Sequence, residues 1–392
     1  MATSRKRIAI LGSTGSIGRS ALEVVRAHPD RFEVVGLSAL KSVELLASQA
    51  REFGAGRVVV GEGRVDQAAF PAGVTVKSGV DALEDLASDA SIDLVVNAIV
   101  GAAGLRPTVA SVSAGRRLAL ANKESLVAAG EIVTTLARAS GAEVVPVDSE
   151  HSSLLRCLRR VPRDAVAGLV LTASGGPLRD LPPAAAADAG VEQVLAHPTW
   201  DMGEKVTVDS ATLVNKAMEV IEARWLFDLP FDRIEVVVHR ESIVHSLVKL
   251  SDGTLLAHLG APDMKVPIQY AMFYPDAPDR SFGTFDLSSV GALNFAEVDP
   301  ARYPCFDLVL GAGVRGGTAP AVAATADEVA VEAFVGGRIR FGDIAEIIGS
   351  TLDAVPPGSA DSITDVLAAE ERAKAEAEGS IARIANRSAG VR

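Results

Sequence analysis

RIAILGSTGSIG, residues 7–18, decides the fold. An apolar strand over 7–11 runs into a glycine-rich turn, and the turn opens an apolar-periodic helix that reaches about residue 27. Strand, glycine turn and helix in that order turn a glycine pattern into a dinucleotide-binding reading. The glycines let backbone N–H groups approach a pyrophosphate at a helix N-terminus. The spacing is G-x-x-G-x-x-G rather than G-x-G-x-x-G. Glycine turns before helices are common, so the motif alone is a weak indicator of the ligand. The next strand, 32–37, leads into Ser38-Ala39-Leu40-Lys41-Ser42. An NAD-binding unit often places an acid here for the ribose 2′-hydroxyl. Here no acid stands ready to repel a 2′-phosphate and Lys41 can attract one, which favours NADP. The plainer reading of Lys41 is a solvated surface charge.

Outward from that unit the alternation continues. Strands are expected at 58–60, 74–77, 93–99, 117–121 and 143–148, and helices near 41–53, 80–88, 104–114 and 124–139. This predicts a doubly wound, mostly parallel sheet with ligands at the carboxyl ends of its strands. Those ends carry AIVG (98–101), ANKES (121–125) and VDSEH (147–151). If Asp148 to Glu150 is still extended, the two carboxylates point to one side, roughly 7 Å apart at Cα. Such a pair is a helix cap or a surface feature as readily as a metal site.

After Glu150 the character changes. A strand at 168–172 ends in the small-residue turn Ala173-Ser174-Gly175-Gly176-Pro177, and PPAAAADAG from Pro182 reads as a loop or short helix. HPTWDMGEK (197–205) has the composition of a lid, with Trp200 either on the substrate or packed on the core. VTVDSATLVNKAMEVIE (206–222) reads as one helix with Ser210 near its start. Asn215 and Lys216 precede Glu219 by four and three residues, so they share a face with it. The group offers donors to an anion and an acid to a cation; equally it is a charged surface stripe with an ion pair. Strands at 234–239, 242–250 and 254–259 follow, the last two joined by a turn at 251–253; His245 and His258 within them read as structural. Residues 274–304 read as a connector, and 306–315, 319–335, 340–353 and 361–387 as helices, the last a solvated charged one.

The bulk numbers fit a globular chain of two or three domains: 392 residues, 48% hydrophobic and 22% charged, with a net charge of −12. That charge argues against nucleic-acid or anionic-membrane partners but leaves room for a local basic pocket. Two cysteines, Cys157 and Cys305, make no disulfide framework and fit a reducing, cytoplasmic setting. SRKR leads directly into the first strand, without the apolar stretch of a signal peptide.

With GSTGSIG, ALANKES, PVDSEH, the SGG turn, HPTW-x-MG, VDSAT-xx-NK-xx-E-x-IEA, APDM and RYPC in place, nearly the whole chain resembles the 1-deoxy-D-xylulose 5-phosphate reductoisomerase family. The resemblance implies an α/β protein: an N-terminal doubly wound, Rossmann-like NADP-binding domain (1–150), a central α+β catalytic domain (151–273) with a lid at 197–205, a linker (274–304) and a C-terminal helical domain (305–392), assembled as a homodimer. It implies NADPH and a divalent metal, Mg²⁺ or Mn²⁺, acting on a phosphorylated sugar to make 2-C-methyl-D-erythritol 4-phosphate. It gives the metal to Asp148, Glu150 and Glu219. The substrate phosphate goes to Ser174, Ser210, Asn215 and Lys216, with His197 closing the pocket. Lys123 and Ser149 are implied for the substrate's oxygens, Trp200 for its cover. Thr14, Gly15, Ser16, Ile17, Lys41, Asn122, Glu124 and Gly203 are implied for NADPH. Leu40-Lys41-Ser42 departs from the family's usual Gly-Lys-Asn, and Thr325-Ala326-Asp327-Glu328 from Asn-Ala-Asn-Glu. Two other readings stay open: an ordinary NADP-dependent sugar-phosphate or hydroxy-acid dehydrogenase with structural carboxylates, and a non-catalytic NADP sensor. A thioester-forming dehydrogenase fits poorly, since neither cysteine lies in a polar strand-end turn.

Overall fold

The computed structural model describes residues 5–390 apart from 64, 201 and 279. Asp201, inside the expected lid, therefore lies outside the described residues. The elements follow in order: β1 (Lys6–Leu11), α1 (Ser16–Ala27), β2 (Phe32–Ala39), α2 (Val43–Phe53), β3 (Arg57–Val60), β4 (Thr75–Ser78), α3 (Val80–Ser88), β5 (Leu94–Asn97), α4 (Leu105–Ser113), β6 (Arg117–Leu120), α5 (Lys123–Ser140), β7 (Val144–Pro146) and α6 (Ser149–Leu158). Then come β8 (Val166–Ala173), α7 (Pro183–Ala187), α8 (Val191–Leu195), α9 (Glu204–Thr212), α10 (Val214–Phe227), β9 (Ile234–Val238), β10 (Val244–Leu250), β11 (Leu255–Leu259), α11 (Lys265–Phe273), β12 (Ala296–Glu297), α12 (Pro304–Arg315), α13 (Ala319–Val335), α14 (Asp343–Ala354) and α15 (Ile363–Gly390). They form two compact units, one of Met1–Ser125, Val133–Ser152 and Asp263–Thr284, the other of Leu126–Ile132, Ser153–Pro262 and Phe285–Arg392.

The first unit is a seven-stranded sheet in the order β4-β3-β2-β1-β5-β6-β7. Its six pairings are all parallel. Strands buried on both faces need continuous apolar runs, and Ile8, Ile10, Leu11, Leu94, Val95, Val96 and Leu118 supply them. The strand order reverses at β1/β5, so the glycine turn after β1 and the AIVG loop after β5 flank the switch point where such sheets bind ligands. α11 returns to this unit late in the sequence. Lys6 Nζ donates to the carbonyls of Met272 and Phe273 at 3.2 and 3.1 Å, satisfying the open end of that helix. The Gln269 amide Nε2 lies 2.7 Å from His28 Nε2 and ties α11 to the end of α1.

The second unit contains a five-stranded sheet, β11-β10-β8-β9-β12, in which only β8/β9 is parallel. β12 comes from the expected connector: Ala296 pairs with Val238 and adds an edge. The helices α12 to α15 enclose an apolar cluster that includes Val322, Phe334, Ile347 and Ile348. α15 is not simply solvated. Ala369, Ala373 and Ala377 recur every fourth residue and are fully buried, so a stripe of small side chains faces the bundle while Glu371 and Lys374 face out.

Two local readings change. VTVDSATLVNKAMEVIE is two helices, because Leu213 adopts the left-handed conformation (φ 58°) between α9 and α10. Ser210 therefore lies in the last turn of α9, not at a helix start. α6 begins at Ser149, so Asp148 and Glu150 do not share one side of a strand; a helix turns about 100° per residue.

Candidate active site

In the first unit the glycine turn is held from below. Gly12 N donates to Ser38 Oγ at 3.0 Å, Ser13 N to Ser38 O at 2.8 Å, and Gln49 Nε2 to Ser13 O at 2.9 Å. A Cβ on Gly18 would lie 2.3 Å from the Gly12 carbonyl oxygen, and Gly12 itself has φ +79°. Both positions exclude a side chain, and they draw α1 tightly onto the turn. Gly15 and Ser16 are exposed at the start of α1, which has no side-chain cap. Those first N–H groups, with the helix dipole, are built to receive an anion. Gly18→Ala is expected to lower the melting temperature by several degrees, as about 1–3 kcal/mol of overpacking requires, and to weaken cofactor binding. Differential scanning calorimetry and a cofactor titration check this; an unchanged melt would show that the turn gives way freely. Lys41 pairs with Glu62 at 3.1 Å, both well exposed.

The other strand ends of this unit carry the remaining polar groups. Asn122 is 1% exposed. Its Nδ2 donates to the carbonyls of Ile99 and Gly101 at 2.9 Å each, and Glu124 accepts from Gly101 N at 3.2 Å. These two residues thereby hold the AIVG loop. Lys123 Nζ lies 2.5 Å from Asp148 Oδ2, both mostly buried, and Ser149 Oγ donates to Glu150.

In the second unit α10 is buried on all sides, with Lys216 and Glu219 4% and 2% exposed. This removes the surface-stripe reading. Lys216 pairs with Glu219, and Asn215 donates to the other Glu219 oxygen. A buried ion pair is retained at a desolvation cost, and completing its hydrogen bonds limits that cost. Of the three carboxylates implied for the metal, Asp148 and Glu219 are thus each compensated by a lysine, Lys123 and Lys216.

Ser174 follows β8. Its Oγ lies 3.0 Å from His197 Nε2 and 3.5 Å from Ser210 Oγ, and it accepts from Gly176 N at 3.1 Å. His197 Nδ1 accepts from the backbone N–H groups of Thr199 and Trp200 at 3.1 and 2.9 Å. A ring nitrogen that accepts carries no proton, so Nε2–H is the donor facing Ser174. Burial, helped by the nearby Arg179 charge, pushes the His197 pKa down to about 4, and the ring is neutral at pH 7. Trp200 is half-buried, with its ring 6.3 Å from that of His245. Gly203 is exposed and immediately precedes α9.

Three residues absent from the sequence reading hold this pocket. Arg179 Nη1 donates to Ser174 O at 2.8 Å, Tyr303 Oη to Gly175 O at 2.9 Å, and Lys205 ties α9 to α13 through Asp327 at 2.7 Å. Tyr303 lies in the RYPC motif, the one signal that pointed to it. His258 Nδ1 lies 2.9 Å from Ser153 Oγ, and burial pushes its pKa down to about 4.

Three family profiles match the chain. One described as 1-deoxy-D-xylulose 5-phosphate reductoisomerase covers residues 8–130, one described as its C-terminal domain covers 144–227, and a third described as DXP reductoisomerase C-terminal domain covers 259–376. A relative named 1-deoxy-D-xylulose 5-phosphate reductoisomerase from Cupriavidus pinatubonensis is 50% identical over 95% of this chain and 96% of its own. Another of that name from Moorella thermoacetica is 47% identical over 95% and 99%. The solved reductoisomerase from Zymomonas mobilis in complex with NADPH has a TM-score of 0.89 at 36% identity, covering 96% of this chain and 99% of its own. A DOX-P reductoisomerase in complex with NADPH, fosmidomycin and magnesium has a TM-score of 0.91 at 37% identity, covering 96% and 98%. The glycine turn, the strand-end polar groups and the buried α10 cluster thus lie in a chain that matches along nearly its full length, and it belongs to the 1-deoxy-D-xylulose 5-phosphate reductoisomerase family.

Proposed function

We propose that this chain converts 1-deoxy-D-xylulose 5-phosphate to 2-C-methyl-D-erythritol 4-phosphate, an isoprenoid precursor, with NADPH and a divalent metal. The observation that carries this is the buried Asn215–Lys216–Glu219 cluster of α10, an anion-binding cation beside a carboxylate, in a chain of this family. Asp148, Glu150 and Glu219 would hold the ion. They are oxygen donors without a thiol, the donor chemistry of Mg²⁺ or Mn²⁺, and two of them already sit beside a cationic lysine nitrogen. When bound, the ion supplies Lewis-acid stabilisation of oxygen charge during the skeletal rearrangement, and NADPH supplies the hydride that reduces the resulting aldehyde.

The chain's own residues bind and orient. Ser174, Ser210, neutral His197 through Nε2–H, Asn215 and Lys216 take the phosphate. That group is remote from the reacting bond, so its binding energy positions the substrate. Lys123 and Ser149 face the substrate's oxygens, and Trp200 covers it. Thr14, Gly15, Ser16 and Ile17 meet the cofactor at the start of α1, with Asn122, Glu124 and Gly203 completing its site. We assign the cofactor role to residues 1–150, the catalytic role to 151–273 with the lid at 197–205, linkage to 274–304 and a packing role to 305–392. Burial raises the pKa of the Cys157 and Cys305 thiols, which leaves both poor nucleophiles.

The setting is inferred to be cytoplasmic. No helix among the described residues is long and apolar enough to cross a membrane, and both cysteines are free. A homodimer is inferred as well: β11 is a sheet edge that exposes Leu255 and Leu256 at 54% and 37%, a surface a second copy can cover. Lys41 sets the cofactor preference. NADPH is expected to exceed NADH at least tenfold in kcat/KM, about 1.4 kcal/mol, and Lys41→Ala should shrink that ratio. Steady-state kinetics with both cofactors measures it, and a higher value for NADH would end the NADP assignment.

A further inference from the structure

A buried cluster of charged groups in the second unit lies outside the proposed substrate and metal residues. Lys205, in the first turn of α9, places Nζ 2.5 Å from Asp209 Oδ2 and 2.7 Å from Asp327 Oδ2. Asp209 lies one turn further along α9, and Asp327 lies on α13; both are buried, Asp327 completely. One cation between two ionised carboxylates would leave a net negative charge in the apolar cluster that α9, α12 and α13 share. The remaining oxygens, Asp209 Oδ1 and Asp327 Oδ1, are buried with no hydrogen-bond partner. A proton on one of the two carboxyls removes that excess buried charge. Burial and the Asp327 charge push the Asp209 pKa well up, against the pull of Lys205.

The surrounding helices bring other ionisable groups. α8 carries Glu192, which is exposed; α10 carries Lys216 and Glu219, paired with each other, and Glu222; α12 carries Asp307 and Cys305; α13 also carries Glu328 and Glu332. The Cys305 thiol senses both aspartates, and burial keeps it protonated.

The far end of α9 carries Ser210, 3.5 Å from Ser174. A Cβ on Gly176 would lie 2.5 Å from the Ser210 carbonyl oxygen, so the backbone of α9 is seated directly on the small-residue turn after β8. Whatever fixes α9 against α13 therefore fixes the spacing of the two serines.

We propose that Asp209 and Asp327 hold one proton between them and, with Lys205, form a neutral knot that fixes α9 against α13, making all three positioning residues for the phosphate-binding turn. Loss of that proton at alkaline pH puts two negative charges on one lysine and loosens α9, so substrate KM rises while kcat changes less. A carboxyl whose pKa is raised in the folded chain binds a proton that the unfolded chain has lost. The fold therefore weakens as pH climbs from about 4 toward the raised value. The effect on KM rests on Ser174 and Ser210 belonging to the substrate site; the shared proton does not.

Infrared difference spectroscopy at pH 7 between the native chain and Asp327→Asn tests the proton. The carbonyl band of a protonated carboxyl should be present in the native chain and lost in the variant, because Asp209 then ionises beside Lys205. Glu370, pushed up to about 7 by burial and Glu328, contributes to both and cancels. Asp209→Asn should lose the same band, and the difference band between the native chain and Asp327→Asn should disappear as pH rises above neutrality. Substrate KM should rise at least fivefold from pH 7 to pH 9 in the native chain and stay within twofold in Asp327→Asn. A band that survives in both variants overturns the shared proton; a lost band with an unchanged KM profile overturns the positioning role. Absence of turnover would count against the proposed function alone and leave the infrared test in force.

Discussion

Glu150→Gln is expected to lower turnover by about three orders of magnitude, the scale of removing one anchor of a catalytic metal or charge-stabilising group, while the chain stays folded and still binds NADPH. Gln keeps the length and shape of the side chain but removes a negative charge and weakens chelation. Glu150 lies in the first turn of α6 and accepts from Ser149 Oγ. An acid in that position stabilises a helix by only about 0.3–1 kcal/mol, so a large loss of activity cannot come from unfolding. Excess Mn²⁺ should restore part of the rate, because a defect in metal affinity is overcome by mass action. Asp148→Asn and Glu219→Gln should behave alike. The measurement is kcat/KM against metal concentration for each variant, with NADPH affinity determined separately. Near-normal turnover that resists a chelator would remove the metal from the mechanism.

Lys216→Ala is expected to raise substrate KM roughly tenfold to a hundredfold, as a charge-assisted bond of about 1.5–3 kcal/mol implies, with NADPH Kd unchanged within twofold. The same change strips Glu219 of its ion-pair partner inside the protein. Breaking a buried pair costs about 3–5 kcal/mol, so the variant should also melt at a lower temperature. Kinetics is therefore to be run well below that melt. Equal losses in substrate and cofactor affinity would mark Lys216 as a structural residue only.

What was legible in the sequence is what local chemistry sets. The strand, glycine turn and helix of 7–27, the strand alternation behind it and the four C-terminal helices all appear at their expected places, because periodicity and turn residues act within a few positions. The Asn215, Lys216 and Glu219 group was legible for the same reason: helical spacing alone brings the three together. The break at Leu213 was not, since a single left-handed residue leaves the apolar pattern on both sides intact and no glycine marks it. Nor was the start of α6 at Ser149, where a strand ending and a helix start share the same polar residues. Contacts across long separations were invisible by nature. Lys123 meets Asp148, Tyr303 holds the Gly175 carbonyl and Asp327 reaches Lys205 only after the sheet and bundle have formed. Those contacts supply the charge compensation that the carboxylates lack when read along the chain.

The central claim, that this chain rearranges and reduces a phosphorylated ketose with NADPH and a divalent metal, is tested most directly by one assay. NADPH oxidation is followed with 1-deoxy-D-xylulose 5-phosphate, with Mn²⁺ and after chelation. Rapid oxidation that requires both substrate and metal, with 2-C-methyl-D-erythritol 4-phosphate as product, is the predicted result; oxidation that proceeds unchanged in the chelator, or no oxidation with both present, would contradict it.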